Sequence, residues 1–104
     1  MTTTVEQIDP MVVAKKHYKL LFENDRVRVM EVLIPVGDKT ATHSHPAHIV
    51  YALAEGKARL NLSDGTSREL ILTPGLVAFL EPQTHWTQNI GDVDVRVLVT
   101  ELKT

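Results

Sequence analysis

Apolar and polar residues alternate with a period of two along several stretches of the chain. In KARLNL (57–62) and DVRVLV (94–99), every second residue is apolar, and RVRV (26–29) repeats the pattern more briefly. This alternation is typical of half-buried antiparallel strands, because successive side chains of a strand point to opposite faces of the sheet.

Turn signals separate these stretches at short intervals. They are END at 23–25, PVGD at 35–38, SDGT at 63–66, TPG at 73–75, EPQT at 81–84 and IGD at 90–92. The pair Asp64-Gly65 gives the strongest hairpin signal, because both residues tolerate positive φ. Many short strands at near-regular spacing predict an all-β sandwich or barrel. Residues 9–17, which begin at Asp9-Pro10, are predicted to form either a helix or an irregular arm.

Length and charge limit the classes of protein to consider. The 104 residues suffice for one domain, and 43% of them are apolar, as in an ordinary globular protein. The 11 basic and 13 acidic residues are interspersed and leave a net charge of −2, which argues against nucleic-acid binding. Since the chain has no cysteine, disulfides, thiolate metal sites and cysteine nucleophiles are excluded.

The chain carries no targeting signal that we can identify. Its first residues lack the basic-then-apolar order of a signal peptide, and the longest apolar run, 49–54, is too short to span a bilayer. We therefore expect a cytoplasmic protein that does not bind membranes.

Histidines are concentrated in THSHPAHIVYALAEG (42–56), where three of the chain's five fall within six positions. On a strand, His43 and His45 would share one face with Cα atoms about 6.5–7 Å apart, so both imidazoles can converge on one ion. His85 follows a turn at the start of another predicted strand and is a candidate third ligand. From the residues alone, surface or hydrogen-bonded histidines stay an open alternative.

This stretch resembles the first signature of the cupin superfamily. That signature is Gly, five residues, His-x-His, three or four residues, Glu, six residues and Gly. Gly37, His43, His45 and Gly56 match it in spacing.

The second cupin signature has a weaker counterpart. It contains a Gly, a Pro turn, and then His, three residues and Asn, which Gly75, Pro82, His85 and Asn89 match. Pro82 and His85 are two residues closer than in the signature, and the glycine between them is missing. More narrowly, YKLLFENDRVRVMEV, HSHPAHIVYAL and RVLVTELK resemble small bacterial RmlC-like cupins associated with β-alanine degradation.

The resemblance implies a fold and a metal site. The fold is a single-domain cupin-type β-barrel, also described as a double-stranded β-helix or jelly roll of two antiparallel sheets, with eight to ten strands. We divide the chain into an N-terminal arm, 1–17, that takes part in a dimer contact, and a barrel, 18–104. The implied ligands of a divalent metal are His43, His45 and His85.

The chain departs from the signature at its glutamate, because Ile49 occupies that position. Three hypotheses follow: a three-His site with open positions, His48 as a fourth ligand, or an approach of Glu81 or Gln83 from the neighbouring turn. Strict alternation argues against His48, because it would point away from the lumen if Ile49 points inward. We favour the three-His site, whose uncompensated charge would attract an anionic ligand.

The same alternation predicts the pocket wall. Ile49, Tyr51 and Leu53 would line it, with Asn89 on the same face as His85. Trp86 would point outward, toward the outer surface or a dimer contact, and Phe79 would lie in the core.

Imidazole ligands favour iron, zinc, nickel or copper over magnesium or calcium. Some cupin dioxygenases that act on thiols or diketones use a three-His iron centre. The resemblance therefore implies a metal-dependent enzyme of oxygenase type that acts on a small organic metabolite and forms a homodimer. A non-catalytic cupin that binds a metal or small molecule is the alternative.

Overall fold

The computed structural model describes residues 7–103, which contain one short helix and nine strands. They are α1 (Pro10–Val13), β1 (Tyr18–Glu23), β2 (Val27–Ile34), β3 (His43–His45), β4 (His48–Ala52), β5 (Gly56–Leu62), β6 (Ser67–Leu72), β7 (Val77–Leu80), β8 (Gln83–Asn89) and β9 (Val95–Leu102). This confirms the predicted all-β fold. No helix within residues 7–103 is long and apolar enough to cross a membrane.

Two antiparallel sheets form the barrel. The five-stranded sheet has the order β1-β2-β9-β4-β7, and the four-stranded sheet has the order β3-β8-β5-β6. Neighbours in each sheet are mostly distant in sequence, as in a jelly roll. β3, which carries two of the candidate ligands, is an edge strand of the smaller sheet.

The core consists of the inward side chains of both sheets. β9 contributes Val95, Val97 and Val99, and β5 contributes Ala58 and Leu60, all buried as the alternation predicts. Full burial of one such aliphatic side chain larger than alanine is worth about 1.5–3 kcal/mol.

Two further predictions about single elements have different outcomes. The Asp64-Gly65 turn joins the paired strands β5 and β6, and Gly65 has a φ of 92°, as the hairpin signal predicted. The prediction that Phe79 lies in the core is wrong, because its side chain is 56% exposed. Phe79 alternates with the buried Leu80 on β7 and therefore faces outward.

The predicted N-terminal arm folds against its own chain where it is described, in residues 7–17. Asp9 caps α1 by accepting a hydrogen bond from the Met11 amide. Ile8 pairs with the free edge of β3: its carbonyl accepts from the Ser44 amide at 2.7 Å, and its amide donates to Ser44 Oγ at 2.6 Å. Residues 1–6 of the predicted arm, and Thr104 of the predicted barrel, lie outside the described residues.

Candidate metal centre

Three buried histidines meet at one end of the barrel. His43, His45 and His85 each offer one ring nitrogen, and these atoms all lie within 4.8 Å of one another. All three side chains are buried. The three predicted ligands are therefore brought together in a group that can hold a metal ion.

The register of β3 and β8 explains why residues forty positions apart meet. His43 lies directly opposite His85 in this antiparallel pair. Opposite residues of such a pair have Cβ atoms only about 4.5–5.5 Å apart, and the two rings have centroids 4.9 Å apart. His45 lies two residues from His43 on the same strand and therefore on the same face.

Each of these rings is oriented by a hydrogen bond that its Nδ1 donates to an oxygen atom. His43 Nδ1 lies 2.7 Å from the Ala41 carbonyl, and His85 Nδ1 lies 2.6 Å from Gln83 Oε1. His45 Nδ1 lies 2.5 Å from Glu101 Oε2. Because these oxygen atoms are acceptors, each Nδ1 carries the proton, and the lone pair remains on Nε2.

The hydroxyl of Tyr18 lies among these nitrogen atoms. Its oxygen is 3.0 Å from His43 Nε2 and 3.2 Å from His45 Nε2, and the side chain is buried. A phenol has one proton and can donate to only one of these two lone pairs. A cation bound between the nitrogens would satisfy the acceptor that the phenol leaves without a proton. The donor set therefore fits a transition-metal ion.

A buried carboxylate stands behind His45. Glu101 Oε1 accepts from Arg28 Nε at 2.9 Å, while its other oxygen accepts from His45. Arg28 also contacts Asp9, the cap of α1, at 3.0 Å. Carboxylates in this position fix the tautomer of a metal-binding histidine and raise its basicity as a ligand.

Burial keeps the cluster uncharged. Burial first, and the neighbouring histidines after it, lower the pKa of His45 and of His85 to about 2. Burial also lowers the pKa of His43 and of His48. Neutral imidazoles are the form that binds metals, so the site needs little proton release from the rings at neutral pH.

The prediction that His48 faces away from the lumen is wrong. His48 is buried, its ring centroid is 4.5 Å from that of His45, and its Nδ1 lies 2.7 Å from the Pro46 carbonyl. The bend at residues 46–47 resets the alternation between β3 and β4, so that His48, Val50 and Ala52 point inward. His48 lies beside the three-His group, outside the set of mutually close nitrogens.

The predicted pocket wall is wrong for the same reason. Ile49 and Tyr51 lie on the other face of β4, Leu53 follows the end of that strand, and the side chains of Tyr51 and Leu53 are exposed. Since Ile49 points away from the cluster, the apolar residue at this position does not displace a ligand. Val50, its neighbour, lines the interior instead.

Asn89 does not line the pocket either. Its amide nitrogen donates to the carbonyls of Ile34 and Val93, both at 2.9 Å, and its oxygen accepts from the Gly91 amide. These hydrogen bonds support the end of β8 and the turn that follows it. Gln83 approaches the His85 ring rather than the centre, and Glu81 is exposed.

A small, mostly apolar cavity of about 40 Å³ adjoins the histidines. Tyr18, His45, His48 and His85 line its polar end, and aliphatic side chains such as Val50, Leu80 and Val99 line the rest. A cavity of this size has room for a few water molecules or for dioxygen. A larger metabolite would require a displacement of the side chains that cover the site.

Sequence reasoning missed three residues of this site. Glu101 and Arg28 were detectable, because they fall in phase with the buried residues of β9 and β2, where a charged side chain needs a partner. Nothing in the sequence around Tyr18 distinguishes it from a core aromatic residue.

Comparisons with known proteins agree with this architecture. The family model described as a cupin domain matches residues 30–101. An uncharacterized protein of Methanocaldococcus jannaschii is 26% identical over 80 residues, which make up 75% of this chain but only 62% of that protein.

Solved structures show the same fold. A cupin domain from Bordetella pertussis has a TM-score of 0.75 at 23% identity, with 99% of this chain and 100% of that chain covered. A DMSP lyase from Ruegeria pomeroyi has a TM-score of 0.60 at 24% identity, with 85% of this chain and 48% of that chain covered. At these identities the likeness establishes the fold alone.

Proposed function

The chain belongs to the cupin domain family, and from this premise we propose that it is a metal-dependent enzyme acting on a small organic metabolite. His43, His45 and His85 hold a divalent transition metal, either iron, zinc, nickel or copper. Chemistry of oxygenase type fits best. The narrower resemblance to cupins associated with β-alanine degradation places β-amino acid catabolites among the candidate substrates.

One observation carries the metal assignment: two buried Nε2 lone pairs share the single proton of the Tyr18 hydroxyl. The protein leaves one acceptor without a donor in a buried cluster, where an unsatisfied polar group costs about 1–3 kcal/mol. A bound cation removes this cost. A histidine cluster on the surface would carry no such cost, because water would donate to its unpaired nitrogens.

The chemistry of a bound ion would be polarisation of a substrate oxygen or activation of dioxygen. The chain's own part is to hold three neutral imidazoles with their Nε2 atoms converging, and to brace His45 through Glu101 and Arg28. Three neutral ligands leave the double charge of the ion uncompensated, which favours an anionic ligand such as a carboxylate or enolate. The adjoining cavity suits dioxygen in size.

The same small cavity favours a second candidate function, a non-catalytic cupin that binds a metal. Every histidine of the cluster is buried, and about 40 Å³ leaves no room for a metabolite beside them in this conformation. Such a protein would hold its ion without turnover.

Metal content tests the metal assignment. Untagged protein is purified without chelator, reconstituted anaerobically with iron, zinc, nickel or copper, and analysed for bound metal. We expect near-stoichiometric metal that is lost in His43→Ala. His17→Gln is the matched control, because His17 is also buried but pairs with Asp38 at 2.8 Å, outside the cluster. Absence of metal after all four reconstitutions overturns both candidate functions.

Oxygen uptake separates the two candidates. Metal-loaded protein is tested against thiols, diketones and β-amino acid catabolites. Uptake with one class, absent in His43→Ala, supports the enzyme, and a flat response supports the binding protein. We place this function in the cytoplasm, with no nucleic-acid or membrane partner.

A further inference from the structure

The hydroxyl oxygen of Tyr18 lies close to two of the candidate ligand nitrogens, as a further metal ligand would. We propose that this oxygen is a fourth protein ligand, an inference that rests on the proposed metal function. Two ligand atoms that lie about 2.1 Å from one tetrahedrally coordinated ion are about 3.4 Å apart. The Tyr18 oxygen stands 3.0 Å and 3.2 Å from the Nε2 atoms of His43 and His45.

The fold holds this oxygen in place. Tyr18 is the first residue of β1, its backbone pairs with Val32, and its amide donates to the Ala14 carbonyl. Its ring packs edge-on against His43 with centroids 5.2 Å apart. The hydroxyl therefore reaches the cluster from the five-stranded sheet, opposite the strand that carries His43 and His45.

The proposed ligand supplies what the three imidazoles lack, a negative charge. Burial and Glu101 raise the pKa of the Tyr18 phenol, so only a bound cation would release its proton, and the phenolate would then balance one of the two charges of that ion. Glu101 does not supply this charge as a ligand, because its carboxylate contacts Nδ1 of His45, on the side of the ring away from Nε2. Tyr18 thus takes the part of the signature glutamate.

Copper(II) is the probe for this inference, because a phenolate ligand gives it a charge-transfer band in the visible. We expect the band in the unmodified protein and in Tyr51→Phe, and its loss in Tyr18→Phe. These are the chain's two tyrosines, and Tyr51 points outward. Zinc affinity should fall at least about tenfold in Tyr18→Phe alone.

The outcomes distinguish this inference from the proposed function. Stoichiometric copper without the band, or a band that survives in Tyr18→Phe, overturns Tyr18 as a ligand and leaves the metal site standing. Failure of every protein to bind metal overturns the proposed function. Resonance Raman spectra of the copper-loaded unmodified protein give a second readout that needs no variant. Absence of tyrosinate ring modes there overturns the inference.

A separate observation concerns the outward side chains of the five-stranded sheet, which form two rows across neighbouring strands. One row is Phe22, Val29, Thr100, Ile49 and Phe79, and the other is Lys19, Glu31, Leu98, Tyr51 and Val77. We call these ten residues the outer face. Seven of them are apolar or aromatic, and the two charged residues, Lys19 and Glu31, lie together at the β1–β2 end of the second row.

The outer face exposes a large apolar area to solvent. Phe22 is 54% exposed, Phe79 56% and Tyr51 43%. At about 200 Å² for an aromatic residue, each exposes roughly 100 Å², so the three together reach about 300 Å². This already matches the largest apolar patch of a typical monomer, which is about 300–600 Å² and often functional.

We propose that the outer face packs against the same face of a second copy of this chain. The three aromatic side chains would supply about 300 Å² of the roughly 800 Å² per partner of a standard interface, and Val77, which is 60% exposed, adds to this area. Glu31 and Arg96 at its margin pair with each other at 3.7 Å, so like charges do not oppose a two-fold contact. Trp86, the dimer contact predicted from sequence, is only partly exposed, and the Lys39 ammonium lies 5.2 Å from its ring centre.

Sedimentation velocity over a concentration series tests this second inference. We expect a dimer for the unmodified protein and for Ile71→Glu, which alters an equally exposed apolar residue on the other sheet. Phe79→Glu should weaken the dimer at least about tenfold. A monomer at every concentration, or a dimer unchanged in a Val77→Glu, Phe79→Glu double variant, overturns it. Circular dichroism reports, independently of the metal, that each variant is folded.

Discussion

Glu101 accepts a hydrogen bond from Nδ1 of His45 at 2.5 Å, although the two residues are fifty-six positions apart in the chain. Glu101 is buried on β9, in phase with the core valines, and Arg28 holds its other oxygen. Burial raises the pKa of Glu101, and the Arg28 guanidinium opposes that rise. The carboxylate therefore orients a candidate ligand from the opposite sheet.

Replacement of this carboxylate tests its part in metal binding. Glu101→Gln keeps the shape but weakens the hydrogen bond to His45 and removes the charge that faces Arg28. We expect zinc affinity, measured by calorimetry, to fall about 10–100-fold. Glu31→Gln is the matched control, because Glu31 lies on the other face of the same sheet and pairs with Arg96. An unchanged affinity in Glu101→Gln would show that His45 needs no such support.

His85 and His48 should differ in their effect on metal binding. His85 belongs to the set of mutually close nitrogens, whereas His48 lies beside it. We expect His85→Ala to lose bound metal, and His48→Ala to retain it with an affinity within about tenfold of the unmodified protein. Elemental analysis after reconstitution measures both. Loss of metal in His48→Ala would instead make His48 a ligand.

Stability of the metal-free protein should fall as the pH falls below about 6.5. His45 and His85 have folded-state pKa values of about 2, while the unfolded chain takes up protons near the ordinary value of 6.5. Protons therefore favour the unfolded state throughout the window from 6.5 down to 2. Each histidine contributes about 1.4 kcal/mol per pH unit within it.

Urea unfolding in the presence of a chelator measures this dependence. Between pH 7.5 and 5.5 we expect the free energy of unfolding to fall by roughly 2–3 kcal/mol. The slope should be smaller in His85→Gln, which removes one of the groups. A stability that is constant over this range would mean that the cluster is protonated in the folded protein.

Asn89 should affect stability and leave metal binding unchanged. Asn89→Ala leaves the buried carbonyl of Ile34, the partly buried carbonyl of Val93 and the Gly91 amide without their partner. We expect a loss of about 3 kcal/mol in the free energy of unfolding, with full metal content in the protein that remains folded. Gln88→Ala, one position away on the opposite face of β8, should change neither quantity. Loss of metal in a folded Asn89→Ala variant would show that Asn89 takes part in the metal site.

The sequence by itself determined the fold class and the three-His group. Period-two alternation in β5 and β9 is a local property, so it was readable without the structure, and so was the Asp64-Gly65 turn. The cupin-like spacing identified His43, His45 and His85, and the β3–β8 register then brought them together.

Only the tertiary structure decided which side chains of β4 point inward and which residues hydrogen-bond to the candidate ligands. The bend at residues 46–47 shifts the alternation by one residue, and a shift of one residue exchanges the two faces of a strand. This moved His48 into the cluster and placed Ile49 and Tyr51 on the outer face. Tyr18 and Glu101 reach the site through strand pairing in the other sheet, and pairing between distant strands is not encoded in any local pattern.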